Sequence, residues 1–308
     1  MSDPRPMSVV WLQAHGQRLG LLPHLGGGVT AWQWLEGAAG GPVDLWRPWD
    51  GASDDRYTFA SFAMLPWSNR ISGGGFEHDG RLHAVRRNRI GEPYPIHGDG
   101  WLQPWRLAEV DASHAVLRLN AYRFQGNPYV YDAEQTFCLV EGGLDQRLRV
   151  THRGDAPLPY GLGLHPWFPR TPHTRLTANV SGVWLGRDDR LPTQHTTQVP
   201  PDWDLRPGAS MHGTLVDNAY TGWDGLARIE WPERALALQI QTLPLDSPSG
   251  PLAPAYCLLY RPETGDAFCF EPVTHPIDAF HLDGRPGLLT LSPGQTLELS
   301  VHWRVLPL

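Results

Sequence analysis

The sequence predicts an all-β fold, a large sandwich of antiparallel sheets, and two observations carry that reading. Four segments alternate apolar and polar residues with a period of two, and no long segment keeps apolar residues at i, i+3 and i+4. Thirty prolines and 33 glycines interrupt the 308 residues at short intervals, which suits short strands joined by tight turns.

In chain order, Leu117, Leu119 and Ala121 alternate with Arg118 and Asn120, and Leu144, Leu148 and Val150 alternate with Asp145, Arg147 and Arg149. Leu236, Leu238 and Ile240 alternate with Gln239 and Gln241, and the last segment sets Leu297, Leu299, Val301 and Trp303 against Glu298, Ser300 and His302. Each reads as a strand with one covered face. Gly73-Gly74-Gly75, Asp79-Gly80, Gly142-Gly143 and Asp224-Gly225 supply hairpin turns. The proline-rich stretches at 171–180 and 243–256 are short and read as loops, so one domain is expected over 1–308.

A formal net charge of −7 without charged blocks gives no footprint for nucleic acid or an anionic membrane, and a neutral partner is expected. No run approaches the roughly 20 apolar residues of a membrane-spanning helix. The opening residues lack the basic start and apolar run of a secretory leader. Cys138, Cys257 and Cys269 form neither a CxxC pair nor an even set, which argues against a disulfide framework or a thiolate metal site. The expected location is the reducing cytoplasm.

Two stretches stand out. In "GLGLHPWFPR", Leu162 and Leu164 face one side of a strand, and Gly161, Gly163 and His165 face the other. In "DAFCFEPVTHP", Phe268 and Phe270 oppose Ala267, Cys269 and Glu271. Both put an ionisable group beside small neighbours, which suggests open space for a ligand next to His165 and Glu271. Spacing alone leaves each open as an ordinary satisfied strand residue.

Taken in order, "NRI" at 69–71, "GGGFEHDGR", "RRNR", "IHGDGW", "GLHPWF", "DNAYTGWDG" and "FEP" resemble the aldose 1-epimerase family, the galactose mutarotase-like sugar epimerases. The resemblance runs from about Ser61 to the C-terminus. It implies the galactose mutarotase-like super-sandwich, an isomerase of carbohydrate metabolism acting on a monosaccharide, no cofactor or metal, and a monomer or homodimer. It implies Glu271 as base, His165 as acid and His97 as a hydrogen-bond donor. Arg70, with Asn69 beside it, and Asp217 are implied as sugar-binding residues, with Asp224 close enough in sequence to be confused with Asp217. Trp167 stands where the family more usually has tyrosine.

These residue types fit together chemically. A cyclic aldose opens when a base takes the anomeric hydroxyl proton while an acid protonates the ring oxygen, and histidine can hold or give a proton near neutral pH. Trp167 and Trp101, each near a proposed catalytic histidine, are candidate cleft walls.

Three other readings remain open. Arg86, Arg87 and Arg89 either form a solvated face or hold the phosphate of a hexose 6-phosphate, which would make the protein a hexose-6-phosphate 1-epimerase. A non-catalytic carbohydrate-binding sandwich would use the same tryptophan, arginine and aspartate. A metal enzyme built on His97, His165, His275 and His281 ranks last, since these lack HxH or HExxH spacing.

Overall fold

All four alternating segments enter one sheet. In the computed structural model, which describes residues 8–36 and 41–308, they become His114–Tyr122, Gly143–His152, Leu236–Thr242 and Thr296–Pro307 of a nine-stranded antiparallel sheet. Their inward residues Leu117, Leu148, Leu238, Ile240, Leu297, Leu299, Val301 and Trp303 are fully buried. Burying a side chain of this size contributes about 1.5–3 kcal/mol, so the alternation fixes which face turns inward.

Among the described residues there is no α-helix, only short 3-10 turns, and none is long and apolar enough to cross a membrane. The cysteines are free. Residues 1–7, the start of the stretch expected to carry no secretory leader, lie outside the described residues.

One expectation needs correction. The stretch at 171–180 is not all loop, because Arg175–Ala178 pairs with Leu226–Trp231 in the nine-stranded sheet. The strand Val130–Val140 gives no clean apolar alternation because Gln135 occupies one of its inward positions, where its Nε2 donates to the Gly27 carbonyl at 3.2 Å.

A second, eight-stranded sheet lies across the core. It runs in the order Pro192–Thr196, Gly182–Gly186, Val216–Thr221, Tyr256–Arg261, Ala267–Val273, Gly163–Leu164 and Ala63–Met64, with Trp167–Pro169 also pairing with Ala267–Val273. Phe268 and Phe270 point from this sheet into the shared core. Phe268 packs on Phe168, which meets Trp303 of the nine-stranded sheet at 6.2 Å between ring centroids, and Phe270 packs edge-on against Trp223. A four-stranded sheet from Val10–Ala14 to Val43–Trp46 adds Trp32 and Trp46, and Trp46 sits edge-on to Trp303 at 5.2 Å. Most of the tryptophan supply is therefore core.

Candidate active site

Strand register assembles the other face of the eight-stranded sheet. Asp217 pairs with Tyr260, Tyr260 with Cys269, and Cys269 with Trp167, so four strands lay these side chains in one row. Residues two places along a strand share its face, so Glu271 and His165 fall side by side in the next row. His165 Nε2 lies 3.5 Å from Glu271 Oε1, and both side chains are almost wholly buried.

Loops close this face into a cleft of about 280 Å³ lined by Tyr57, Asn69, Arg70, Glu92, Ile96, His97, His165, Trp167, Arg190, Asp217, Tyr260 and Glu271. The seven site residues singled out in the sequence all lie in it. Asp224 does not. It is exposed and accepts from Asn179 Nδ2 at 3.1 Å. Trp101 is not a wall either, for it is buried behind the cleft, stacked on Phe62 and donating to the Gly98 carbonyl at 3.1 Å. His275 and His281 also lie outside the cleft lining. His275 accepts the Ser68 N–H at 3.0 Å, and His281 sits 2.8 Å from Asp278, so the four-histidine metal site does not assemble.

Gly161 and Gly163 do not open space beside His165. A Cβ on Gly161 would meet the His275 ring at 2.0 Å, and one on Gly163 would meet Met64 Cε at 2.7 Å. They are glycines because neighbouring core side chains press on the backbone. The space beside His165 comes instead from the loops.

Asn69 and His97 hold each other in place. The His97 N–H donates to the Asn69 carbonyl at 2.9 Å, and the Asn69 N–H donates to His97 Nδ1 at 3.1 Å. Both residues have left-handed backbones, with φ of 53° and 59°, a strained conformation that clusters at functional sites. Because Nδ1 is an acceptor, the neutral ring carries its proton on Nε2. Burial, then His165, Arg70 and Arg89, hold the His97 pKa well below its ordinary value, so His97 is a neutral donor.

The following Gly98 has φ of 70°, and a Cβ there would stand 1.9 Å from the Leu65 carbonyl oxygen. Gly98→Ala is therefore expected to cost at least about 2 kcal/mol, from left-handed strain plus the clash. Gly142→Ala, at a similar φ of 74° with nothing within 4 Å, should cost only about 1–2 kcal/mol. Urea midpoints compare the two, and equal losses would mean the Leu65 contact carries no weight.

Arg70 carries the densest polar network. It is held by Glu92 through two bonds, Nε to Oε2 at 3.1 Å and Nη2 to Oε1 at 3.3 Å, and its Nη1 donates to Asn69 Oδ1 at 3.3 Å. Asp217 Oδ2 lies 3.7 Å from both Arg70 Nη1 and Arg190 Nε. Four buried polar atoms of the cleft have no partner among the described residues: Tyr57 Oη, His165 Nδ1, Trp167 Nε1 and Glu271 Oε2. Buried polar groups are normally hydrogen-bonded, so four orphans in one cleft mark a place that receives a polar ligand.

Burial holds His165 down to about 3 and pushes Glu271 well above the ordinary carboxylate range, with Asp217 adding to the rise. Both shifts favour uncharged forms, so the free pair holds one proton, resting on the carboxyl.

A family model for aldose 1-epimerase matches residues 10–304. The chain belongs to the aldose 1-epimerase family. Among relatives, "Uncharacterized protein YphB" of Escherichia coli K12 is 32% identical over 280 residues, 87% of this chain and 92% of the relative. A crystal structure from Escherichia coli K12, provisionally assigned as an aldose 1-epimerase, superposes with a TM-score of 0.88 at 28% identity, covering 98% of this chain and 99% of that one. A galactose mutarotase-like protein from Clostridium acetobutylicum reaches 0.82 at 15% identity, over 97% of this chain and 95% of that one, and shows the fold alone.

Within the aldose 1-epimerase fold, Tyr57, Glu92, Arg190 and Tyr260 join the cleft without a signal that sequence reading used. The basic run divides. Arg89 forms a two-pronged pair with Asp55 at 2.8 and 3.1 Å and stacks 3.7 Å from the Tyr57 ring centroid, while Arg86 and Arg87 are exposed outside the cleft. Arg89 thus braces Tyr57 with its charge already paired.

Proposed function

We propose that the protein interconverts the α and β anomers of a monosaccharide by ring opening and reclosure, with Glu271 and His165 sharing the proton work. The observation that carries this is the buried Glu271–His165 contact of 3.5 Å at the floor of a polar cleft. A binding module needs no such acid–base pair. The cleft lining contains none of Arg86, Arg87 and Arg89, which favours an unphosphorylated sugar over a hexose 6-phosphate.

The reactive form is carboxylate beside imidazolium. Glu271 takes the anomeric hydroxyl proton, the bond between the anomeric carbon and ring oxygen breaks, and His165 gives its proton to the ring oxygen. The products are an open-chain aldehyde with a free hydroxyl, and an uncharged Glu271–His165 pair. Rotation about the first carbon–carbon bond and reversal of both transfers yield the other anomer and restore the charges. Burial aids the opening step because it removes two charges from a low-dielectric site.

His97 Nε2 donates to the anomeric or ring oxygen. Arg70 supplies its remaining N–H donors to sugar hydroxyls, while Asn69 orients Arg70 and Asp217 accepts from hydroxyls. Trp167 forms an apolar wall, backed by Arg47 at 4.2 Å from its ring centroid.

The test is polarimetry on freshly dissolved single anomers of neutral hexoses and pentoses, with hexose 6-phosphates as comparators and a chelator present. At least one neutral aldose should equilibrate faster than in buffer, and binding without acceleration for every sugar would reject catalysis. On the best substrate, kcat/KM should hold down to about pH 3, where His165 takes a second proton. It should fall on the alkaline side, well above the ordinary carboxylate range, as the pair loses its only proton. An acid limb at the ordinary histidine value of 6.5 would show that His165 is not desolvated in the working enzyme.

A further inference from the structure

We infer that the catalytic pair, together with Cys269, forms a binding site for a thiophilic divalent cation such as Zn²⁺ or Cd²⁺, and that occupation of this site shuts the enzyme off. Cys269 is the third member of the row that carries Asp217, Tyr260 and Trp167, and it shares the cleft face of its strand with Glu271. Ligand atoms of His165, Cys269 and Glu271 all lie within 4.8 Å of one another.

The distances suit a small ion. Zn²⁺ binds thiolate sulfur at about 2.3 Å and imidazole nitrogen or carboxylate oxygen at about 2.0–2.2 Å, so donors on one tetrahedron stand roughly 3.3–3.6 Å apart. The His165 Nε2 to Glu271 Oε1 separation is already 3.5 Å, and movement of roughly 1 Å by the thiol closes the third corner. The donor set of nitrogen, sulfur and oxygen matches zinc chemistry.

An independent observation points to a ligand at this spot. Glu271 Oε2 is buried without a partner, and the Glu271 residue is only 3% exposed. The missing CxxC spacing therefore does not exclude a thiolate ligand here, since Cys269 and Glu271 share one strand face and sheet register brings His165 beside them.

Binding is balanced as follows. The Cys269 S–H bond breaks, a sulfur–metal bond forms and the thiol proton leaves to solvent. The proton on Glu271 is also released as the carboxylate ligates. The cation then occupies the base and ties up the acid, so it competes with the sugar. Inhibition rests on the proposed epimerase function, but binding does not.

The test uses the full chain. Cd²⁺ titrated into wild type should give an ultraviolet cadmium–thiolate band saturating at one equivalent, and the same band should persist in Cys138→Ser, which removes the partly exposed thiol. Cys269→Ala should lose the band, and the Zn²⁺ sensitivity of each variant is read against its own metal-free rate. Zn²⁺ should inhibit wild type competitively, and Cys269→Ala should need at least tenfold more Zn²⁺ for half-inhibition. Cys269→Ser, closer in shape, covers a folding failure of the alanine variant. Absence of the wild-type band, or equal Zn²⁺ sensitivity of wild type and Cys269 variants, overturns the metal site. A protein that shows the band and moves no sugar retains the metal site and loses the epimerase reading.

Discussion

Glu271→Gln is expected to lower kcat by about 10²–10⁴ while changing sugar affinity by less than about 1.4 kcal/mol, the equivalent of tenfold. The amide keeps the carboxylate's shape and its contact with the anomeric hydroxyl, but it cannot take the proton. Its NH₂ group also offers His165 a donor where the carboxylate was an acceptor, so the imidazolium loses its counter-charge as well. Affinity is read by tryptophan fluorescence, for which Trp167 in the cleft wall is a natural reporter. His165→Gln should cost a similar factor. The double variant should lose less than the product, because the two groups share one proton and act on one event. Near-normal turnover by Glu271→Gln would mean that the base lies elsewhere.

Arg70→Met should damage both binding and folding. The guanidinium is the joint partner of Glu92 and Asp217, and deleting one member of a buried charge network costs about 3–5 kcal/mol, because Glu92 is left uncompensated and Asp217 keeps only Arg190. Loss of its donors to the sugar should lower kcat/KM by about 10²-fold or more, mostly through KM. Arg70→Lys keeps the charge but not the planar fork that meets Glu92 twice, so it should recover most of the stability and little of the affinity. Adding Glu92→Gln to Arg70→Met should restore part of the urea midpoint. A KM unchanged in Arg70→Met would remove Arg70 from the sugar site.

The sandwich was legible where one face of a strand is wet. Leu297 to Trp303 and the other alternating segments carry a period of two because the nine-stranded sheet has one solvated side. The eight-stranded sheet that carries the cleft hides this signal. Ala267–Val273 is buried at every position, and Gly163–Leu164 is only two residues long. The grouping of Phe268 and Phe270 against Cys269 and Glu271 could be read from strand geometry, but the role of Gly161 and Gly163 could not. Their neighbours Met64 and His275 are distant in sequence, and only tertiary packing brings them to the backbone.

The site divides in the same way. Arg70, His97, His165, Asp217 and Glu271 were marked by short motifs whose order matches the family. Tyr260 enters only because register sets it between Asp217 and Cys269, and Glu92 only because its loop folds back onto Arg70. Arg190 reaches Asp217 from a hairpin loop with its own backbone at φ of 68°. None of these contacts has a fixed spacing along the chain, so no local pattern encodes them.

Saturation transfer between the α and β anomeric protons of an equilibrated aldose reads ring opening and closing directly, without any net reaction. Wild-type protein should exchange the two signals faster than buffer for at least one neutral aldose, and Glu271→Gln, though it binds that sugar, should exchange them at least about 10²-fold more slowly than wild type. Exchange equal with and without protein for every aldose tried, or equal in wild type and Glu271→Gln, would contradict ring opening by the Glu271–His165 pair.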